Sequence, residues 1–488
     1  MREQLKRLGA ESIVYGLGQV GGRAVQLMLV PVLTRALTPE AFGISELVVG
    51  YSQTALLVLV MGMDGALARF FYHEPDTESR IRMVSSSLVF RLVTSVSVAA
   101  LIALFAGPLS VHLMSGDGYR KYLIIGAATL PFTLLVMFGN DVLRVTFQPW
   151  KFISLNILQT VLTTAIALWF VLVQHSGVVG VLYGRLIGDI VSAGVGLVLI
   201  RHTVAPRFSR ATLRRMLSYG LPAIPGTIAF GLIAGLDRFF MQRTRSLEEV
   251  AVYAVALKFF AIVTIAASAF QLAYGPFAFA RATTPEAPRL FARVFAAYMA
   301  VGSLGALVVS LFAADALRVL VPASYAGAAE SVLWLTFAAV ALGAYTVTSL
   351  GIGLALKTPL IAICSGSGLV VALAAHTVLT PRFGGPGAGA ATFLGYATTG
   401  YVTYRVAQSV YPLPFRGGRA VALFALAVGL ALIAQQYAPA GVPGIGFKIV
   451  LVVALIGAVL MLDVLRNGGA IARSWAPPVD ARAGEPGG

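Results

Sequence analysis

The chain has 488 residues, of which 58% are hydrophobic and only 11% are charged, and its formal net charge is +16. Since about a quarter of the residues of a soluble globular domain are charged, this composition excludes an ordinary water-exposed surface. The single cysteine, Cys364, lies within an apolar run, which excludes a disulfide framework.

Apolar blocks of roughly twenty residues, the length that crosses a hydrocarbon core of about 30 Å, follow one another along the chain. The three blocks at 155–173, 421–434 and 447–465 carry two charges between them. The sequence lacks the ten-residue segments of alternating polarity that a membrane β-barrel needs, so the spans are predicted to be helices. We predict about fourteen of them, near 11–33, 43–65, 84–107, 121–143, 152–173, 178–200, 214–240, 250–274, 291–313, 328–351, 358–380, 386–409, 419–437 and 445–465.

The positions of lysine and arginine predict the orientation of these spans. With the N-terminus in the cytoplasm, the cytoplasmic connections and the two tails hold 23 of the 36 basic residues, and the opposite side holds 8. Because cytoplasmic loops are enriched in lysine and arginine, we expect a bacterial inner-membrane protein with both termini in the cytoplasm. The orientation of the chain in the membrane thereby explains the excess of basic residues, and no nucleic-acid partner is expected.

An internal repeat relates the two halves of the chain. The segment YGLGQVGG (15–22) lies 204 residues before YGLPAIPG (219–226). Six spans separate the copies, so both halves enter the membrane in the same sense, as in a parallel repeat. Glycine and proline are common in membrane helices, but matching interrupted helices in two halves also indicate the central pathway of a transporter. The corresponding hinge residues are Gly18, Gly21 and Gly22 in the first copy and Pro222, Pro225 and Gly226 in the second.

Polar side chains form stripes on three of the predicted spans of the first half. A stripe on an apolar helix indicates a wet or polar neighbour, and residues three or four apart share one helix face. Three stripes in one half predict a cavity. They are Tyr15, Gln19, Arg23 and Gln26 on span one, Ser87, Arg91 and Ser95 on span three, and Asn156, Gln159 and Thr163 on span five.

Charged residues inside the spans are predicted to be predominantly basic. Arg23, Arg91, Arg185 and Lys258 lie deep, Arg238 lies near the periplasmic end of span seven, and Asp189 is the only comparably deep acid. Such charges face a bundle interior or a watery cavity, and guanidinium groups bind phosphate oxygens. An anionic cargo is therefore expected, with Arg23 and Arg91 as the favoured contacts.

Other interpretations of these charges remain open. Arg238 and Lys258 are as compatible with extending to the membrane interface as with ligand contact. Arg185 and Asp189 lie one helical turn apart and are predicted to form a structural pair. Asp141 and Arg144 are predicted to form a pair at the cytoplasmic edge of span four.

Coupling to an ion gradient requires an acid in the pathway, and the candidates are Asp189, Glu46, Asp64 and Asp237. The histidines do not have metal-ligand spacing, and no nucleophile–base motif or phosphate-binding glycine loop is present. We therefore expect a transporter without a metal or cofactor, and not an enzyme.

Several segments carry a resemblance to a known family. They are VPVLTRALTPEAFGISELV (30–48), GMDGALARFFYHEPDTESR (62–80), GLDRFFMQRTRSLEEVAVYAVALKF (235–259), GIGLALKTPLIAICSG (351–366) and GGPGAGAATFLGY (384–396). They resemble, in order through spans one to twelve, the O-antigen and exopolysaccharide flippases. Those proteins are a branch of the multidrug/oligosaccharidyl-lipid/polysaccharide (MOP) exporter superfamily.

The resemblance implies an all-α membrane protein with two six-helix lobes around a central cavity, related by a parallel pseudo-twofold axis. Spans thirteen and fourteen would be peripheral. It also implies alternating access, with spans one and seven as bending helices and Arg23 and Arg91 in a cationic cavity. The cargo would be an undecaprenyl-pyrophosphate-linked oligosaccharide, turned from the cytoplasmic to the periplasmic leaflet. The implied units are 1–205, 206–410, 411–466 and a disordered tail at 467–488.

The implied partners are membrane lipid, the lipid-linked oligosaccharide and other membrane proteins of polysaccharide assembly. A multidrug extruder of the same superfamily would have an acidic cavity, which the predicted excess of deep bases argues against. A lipid II flippase remains open, because its cargo also carries a pyrophosphate. A membrane polymerase or ligase would show a large periplasmic loop, and a scaffold protein would not need polar stripes.

Overall fold

The computed structural model consists of helices wherever it describes regular structure. The described residues are 25, 28–72, 74, 76–114, 116–221, 224–281, 287–354, 357, 359–410, 417–437 and 442–461. Within these ranges no residue belongs to a β-strand. The chain is therefore an all-α protein over its described part, as the apolar blocks predict.

The helices follow one another with short connections. They are α1 (28–36), α2 (Pro39–Val60), α3 (Met63–Phe71), α4 (Thr77–Leu104), α5 (Ala106–Met114), α6 (Arg120–Val145), α7 (Pro149–Leu168), α8 (Gly177–Leu199), α9 (Arg210–Gly220), α10 (Ile224–Thr244), α11 (Leu247–Arg281), α12 (Ala287–Leu320), α13 (Ala328–Leu354), α14 (Pro359–Val410), α15 (Gly417–Tyr437) and α16 (Val442–Met461). A π-helical turn, Trp169–Val173, extends α7.

Twelve stretches of the described chain are long and apolar enough to cross a membrane. One of them, α14, is two helices, because Gly384 adopts φ 59° and ψ −132° between Pro381 and Pro386. Each half has about 25 residues, enough to cross a hydrocarbon core of about 30 Å. Counting both halves, the predicted spans two to fourteen each have a helix. Most of span one lies outside the described residues.

Several of the predicted boundaries were wrong, including those of spans seven and eight. The seventh span was expected from 214, but residues 210–220 form the separate short helix α9, and the long helix α10 begins only at Ile224. Arg210, Arg214 and Arg215 are exposed on α9, while its apolar side packs on α3 and α4. The eighth span was expected to end at 274, and α11 continues to Arg281.

Local sequence explains where several helices begin and end. The Thr38 hydroxyl accepts a hydrogen bond from the backbone N–H of Ala41, and Asp76 accepts one from Ser79 at 2.6 Å, so α2 and α4 start at capping residues. The end of α2 is set by left-handed conformations at Met61 (φ 48°) and Gly62 (φ 66°). This turn directs α3 away from the axis of α2.

The long helices form two lobes with a peripheral pair. In the first lobe α4, α6, α7 and α8 pack together, and in the second α10, α11, α13 and α14 do so. The peripheral helices α15 and α16 pack on α12. Helix α2 joins the lobes, because it contacts α6 and α8 on one side and α10 and α11 on the other. The interface between the lobes is therefore built on α2.

Small residues allow helix backbones to approach closely at this interface. A Cβ atom added at Gly43 of α2 would lie 2.4 Å from the carbonyl oxygen of Leu247, where α11 begins. One added at Gly50 would lie 2.6 Å from Cδ of Arg238 on α10. Lipid tails are as apolar as the helix surfaces, so the hydrophobic effect does not drive helices together within the bilayer. Close packing of this kind is therefore a main source of helix association.

Candidate substrate and coupling site

Part of the predicted site lies outside the described residues. This applies to the whole stripe of span one and to four of the six predicted hinge residues. They are Tyr15, Gln19, Arg23 and Gln26, and Gly18, Gly21, Gly22 and Pro222. Of the remaining hinge residues, Pro225 is exposed and Gly226 is buried in the first turn of α10, where it packs against Ala362 of α14.

Arg91 lies between α4 and α6, inside the packing of the first lobe. Its side chain is 1% exposed, and its Nη1 is 2.9 Å from Oδ2 of Asp141. The guanidinium also lies 5.4 Å from the ring centroid of Phe138. Neither Nε nor Nη2 has a hydrogen-bond partner among the described residues. In this conformation Arg91 is a buried ion-pair partner, and its contact with cargo stays a prediction.

The interpretation of Asp141 as part of a pair at the membrane edge needs correction. Arg144 is 3.6 Å from Asp141, so that pair exists, but the aspartate is only 13% exposed and its shorter contact is with Arg91. The sequence interpretation missed this because the two residues lie 50 positions apart on different helices. Residue spacing along one helix shows only which neighbours on that helix are reachable.

A polar network joins α6, α7 and α8 within the first lobe. Asn156 donates to Asn140 at 3.0 Å, and Gln159 Nε2 donates to Asp189 Oδ1 at 2.8 Å. The hydroxyl of Thr133 is in hydrogen-bond contact with Asp189 Oδ2. Asn156 and Gln159, predicted to line a cavity, therefore tie neighbouring helices together.

The predicted pair between Arg185 and Asp189 was wrong. Asp189 is 1% exposed, and its partners on the described chain are the neutral side chains of Thr133 and Gln159. Arg185 is half-buried on α8 and has no hydrogen-bond or ion-pair partner among the described residues. A spacing of four residues allows an ion pair within one helix, but the pair need not form when other helices supply better-placed partners.

Lys258 and Glu46 form an ion pair across the two lobes. The lysine Nζ on α11 lies 2.8 Å from each carboxylate oxygen of Glu46 on α2, and the side chains are 28% and 17% exposed. The sequence interpretation gave these residues separate roles, one in cargo binding and one in ion coupling. They lie 212 positions apart, and no local pattern in the sequence indicates the contact.

Asp237 and Arg238 lie next to α2 at the same interface. Asp237 is buried and accepts hydrogen bonds from the Tyr253 hydroxyl at 3.0 Å and from its neighbour's backbone N–H. Arg238 Nη1 donates to the carbonyl of Ala234 at 3.0 Å and lies 3.8 Å from Asp237. Asp64, the remaining coupling candidate, is exposed in the first turn of α3.

Among the predicted site residues that the structure describes, buried or partly buried bases and acids are equal in number. The bases Arg91, Arg185, Arg238 and Lys258 are matched in number by the acids Glu46, Asp141, Asp189 and Asp237, all of which are partly or wholly buried. The charge argument against a multidrug extruder therefore does not hold for these residues. Over the same residues, no group of three or more histidine, cysteine, aspartate or glutamate side chains could hold a metal ion.

Comparison with known proteins identifies the family. A model of the family described as "Polysaccharide biosynthesis protein" matches residues 8–281, more than half of the chain. The chain belongs to this polysaccharide biosynthesis family. The match begins just before the predicted first span and ends at the last residue of α11. It therefore includes Arg185, Asp189 and the ion pair between Glu46 and Lys258.

One curated relative of this family member is a protein of the Lsg locus of Haemophilus influenzae. It is 22% identical over 294 residues, which are 55% of this chain and 65% of the relative. The alignment thus spans just under two thirds of the relative's length.

Solved structures share the fold of this family member. The lipid II flippase MurJ in an inward closed conformation has a TM-score of 0.72 and 11% identity, over 94% of this chain and 100% of MurJ. The Vibrio cholerae MATE transporter VcmN has a TM-score of 0.60 and 15% identity, over 83% and 96% of the two chains. An inward-facing multidrug resistance MATE family transporter of the MOP superfamily has a TM-score of 0.55 and 17% identity, over 82% and 94%.

At these identities the structures show the fold alone. The fold is that of the MOP transporters, and the long apolar helices make this polysaccharide biosynthesis protein a multi-pass membrane protein. The neighbouring structures are those of a lipid II flippase and of MATE transporters.

Proposed function

We propose that the chain is a flippase for an undecaprenyl-pyrophosphate-linked oligosaccharide, an O-antigen or exopolysaccharide repeat unit. It would turn this cargo from the cytoplasmic to the periplasmic leaflet of the bacterial inner membrane. The observation that carries the proposal is the match to the polysaccharide biosynthesis family over residues 8–281, on a fold shared with MOP transporters. Both termini would lie in the cytoplasm, as the distribution of lysine and arginine predicts.

Alternating access gives the two lobes their role. The lobes meet through α2, whose contacts with α10 and α11 include the ion pair between Glu46 and Lys258. Tilting one lobe against the other would open the space between them first to one leaflet and then to the other. The hinge residues at the starts of spans one and seven would absorb the bending.

The pyrophosphate head group would bind to arginine side chains of the first lobe. Arg185 is half-buried in the first lobe and has no partner among the described residues, so its guanidinium is available for two hydrogen bonds to phosphate oxygens. Arg23 is the second proposed contact. Arg91 would join them only if it leaves Asp141, and the lipid tail could remain in the bilayer while the glycan crosses.

Complementation of a flippase-deficient strain tests the proposal. Arg185→Ala and Arg23→Ala are expected to abolish surface polysaccharide while membrane insertion stays normal, because both remove a phosphate-binding group. Arg214→Ala removes an exposed arginine from α9 and is the matched control, with surface polysaccharide expected at the wild-type level. Full surface polysaccharide in the two test variants would contradict the assignment of the site.

A lipid II flippase is the second candidate function. It is favoured by the structural similarity to MurJ over 94% of the chain, and its cargo offers the same pyrophosphate to Arg185. Rescue of a strain lacking its lipid II flippase would select this alternative. The equal number of bases and acids among the described site residues also keeps a multidrug extruder as an outcome, which efflux of a cationic dye from cells would reveal.

A further inference from the structure

Two arginines connect the two halves of the chain at helix ends that are predicted to face the periplasm. Arg35, the residue before the last of α1, donates from Nη1 to the carbonyl oxygen of Leu320 at 2.8 Å and from Nη2 to that of Val319 at 3.1 Å. Arg243, the residue before the last of α10, donates from Nη1 to the carbonyl oxygen of His112 at 3.4 Å. Each arginine therefore joins the end of a helix in one half to the end of a helix in the other.

The internal repeat relates these two contacts. Arg243 follows Arg35 by 208 residues, and Leu320 follows His112 by the same 208 residues. The offset is close to the 204 residues that separate the repeated segments at 15–22 and 219–226. Exchange of the two halves therefore turns one contact into the other.

The structure around the arginines supports this correspondence. The Thr38 hydroxyl accepts a hydrogen bond at 3.2 Å from the backbone N–H three residues later, and Ser246, 208 residues further on, does the same at 3.2 Å. A Cβ atom added at Gly43 would lie 3.4 Å from the Cβ of its own counterpart, Ala251. Residues that a twofold axis exchanges can touch each other only at the axis. The axis that relates the two contacts therefore passes between α2 and α11.

The acceptors of these hydrogen bonds suit a guanidinium group. The last four carbonyl oxygens of a helix have no partner within the helix and carry the negative end of its dipole. Val319 and Leu320 are the last two residues of α12, and His112 lies in the last turn of α5. Arginine keeps its charge and donates several hydrogen bonds from one planar group, so it can bind such carbonyls from outside the helix.

The exposure of both arginines makes these contacts easy to break. Arg35 and Arg243 are exposed, and a cation at an exposed helix C-terminus contributes only modestly to stability. When the hydrogen bonds break, the carbonyl oxygens and the guanidinium groups return to water, so no buried group is left without a partner. A contact that forms and breaks in every transport cycle needs this property.

We propose that Arg35 and Arg243 are two symmetry-related latches that hold the lobes closed on the periplasmic side. The proposal rests on the alternating access of the proposed function, but not on the identity of the cargo. Opening towards the periplasm separates the helix ends that each arginine joins. Because the axis exchanges the two latches, they lie on opposite sides of it, and separating the lobes along their whole interface breaks both.

Alkylation of a buried cysteine at the interface measures this opening. The probe is Ala251→Cys in a Cys364→Ala background, because Ala251 is 0% exposed and packs against Gly43 of the other half. In spheroplasts, a membrane-impermeant maleimide reaches the protein from the periplasmic side alone. When the lobes open and close faster than the thiol reacts, the alkylation rate is proportional to the open population, so a ratio of rates is a ratio of populations.

Removal of the latches is expected to raise the alkylation rate. A cation at an exposed helix C-terminus changes an equilibrium by about two- to fivefold, so Arg35→Gln and Arg243→Gln should each raise the rate by this factor, and together by about four- to twenty-fivefold. Arg35→Lys keeps the charge but loses the planar group, so its rate should lie between those of wild type and Arg35→Gln.

Arg318→Gln is the matched control for these variants. Arg318 is 66% exposed near the same end of α12, but it lies 3.7 Å from Asp315 of its own helix. Its substitution removes one positive charge without removing a contact between the halves, so the alkylation rate should equal that of wild type. A double variant that reacts no faster than Arg318→Gln would overturn the proposal.

A second probe separates opening from general loosening of the interface. Thr54 of α2 faces α10, since a Cβ added at Gly235 would lie 2.9 Å from its Oγ1. It lies eleven residues, about 16 Å, further along α2 than Gly43, towards the predicted cytoplasmic end. In inside-out vesicles, Thr54→Cys is expected to react no faster in the double variant than in wild type, because the two sides open alternately. Faster reaction at both probes would mean that the whole interface is loosened, and it would also overturn the proposal.

The latches and the proposed function fail in different experiments. If the protein does not translocate lipid-linked oligosaccharide but the double variant exposes the Ala251→Cys probe, the proposed cargo falls and the latches stand. If translocation occurs and the double variant leaves the alkylation rate unchanged, the latches fall and the proposed function stands.

Discussion

The ion pair between Lys258 and Glu46 gives a quantitative prediction about the interface of the lobes. At the 2.8 Å separation, an effective dielectric constant near 20 gives an attraction of about 6 kcal/mol. Removal of both groups from water and the ordering of two long side chains offset most of this attraction. Since the side chains keep 28% and 17% exposure, we expect a coupling free energy of about 1–3 kcal/mol.

A double-mutant cycle measures this quantity. The free energy of unfolding of wild type, Lys258→Ala, Glu46→Ala and the double variant would be determined by titration with a denaturing detergent in mixed micelles. Each single substitution is expected to lower the free energy of unfolding by more than half as much as the double substitution does. The reason is that a single substitution leaves one charge unpaired at a largely buried interface.

An exposed pair in the same protein is the matched control. Arg82 and Glu78 are 3.0 Å apart on α4, with side chains 44% and 59% exposed. Their cycle is expected to give about 0.5 kcal/mol or less, because water screens an exposed pair of this spacing. A coupling between Lys258 and Glu46 as small as this control would refute the reasoning that the pair holds the lobes together.

Three further predictions concern the stability of the first lobe. Gly188→Ala places a Cβ 2.7 Å from a backbone nitrogen of α7 and should lower the melting temperature, with a loss of about 1–3 kcal/mol in the free energy of unfolding. Gly194→Ala meets no atom within 4 Å and should leave the melting temperature unchanged. Equal melting temperatures for the two variants would contradict the packing. Asp141→Ala leaves the buried Arg91 unpaired and should lower the free energy of unfolding by about 3–5 kcal/mol, far more than Arg144→Ala. Similar losses for the two variants in detergent unfolding would place the pair of Arg91 and Asp141 at the surface. Hydrogen bonds from the start of α4 lower the pKa of Asp76. The stability that this cap contributes is therefore complete above the ordinary pKa near 3.8 and is lost as the pH falls through the lowered pKa. An acid unfolding curve that Asp76→Ala leaves unchanged would exclude this contribution.

The sequence was sufficient to predict the helical spans because each one is a local property. An apolar block of sufficient length must form a helix in lipid, so the predicted spans from two onward match helices of the structure. The boundary at span seven failed for a reason that is also local. Residues 210–220 combine an apolar side with exposed arginines, which suits a short helix packed on α3 and α4 rather than a span.

The contacts of the charged residues could not be predicted in the same way. Arg91 with Asp141, and Lys258 with Glu46, join positions 50 and 212 residues apart, and only the packing of helices brings them together. The spacing of Arg185 and Asp189 indicated a pair, but Thr133 and Gln159 on neighbouring helices contact the carboxylate instead. Which charged residues pair is therefore a property of the fold, and counting residues along predicted spans does not reveal it.

Translocation measured in proteoliposomes tests the central claim most directly. The purified protein would be reconstituted with a fluorescent undecaprenyl-pyrophosphate-linked oligosaccharide, and the label exposed on the outer surface would be quenched over time. The account predicts that wild-type protein moves the lipid across the bilayer faster than protein-free liposomes, and that Arg185→Ala does not while Arg214→Ala does. Movement at the protein-free rate by the wild type, or at the wild-type rate by Arg185→Ala, would contradict it.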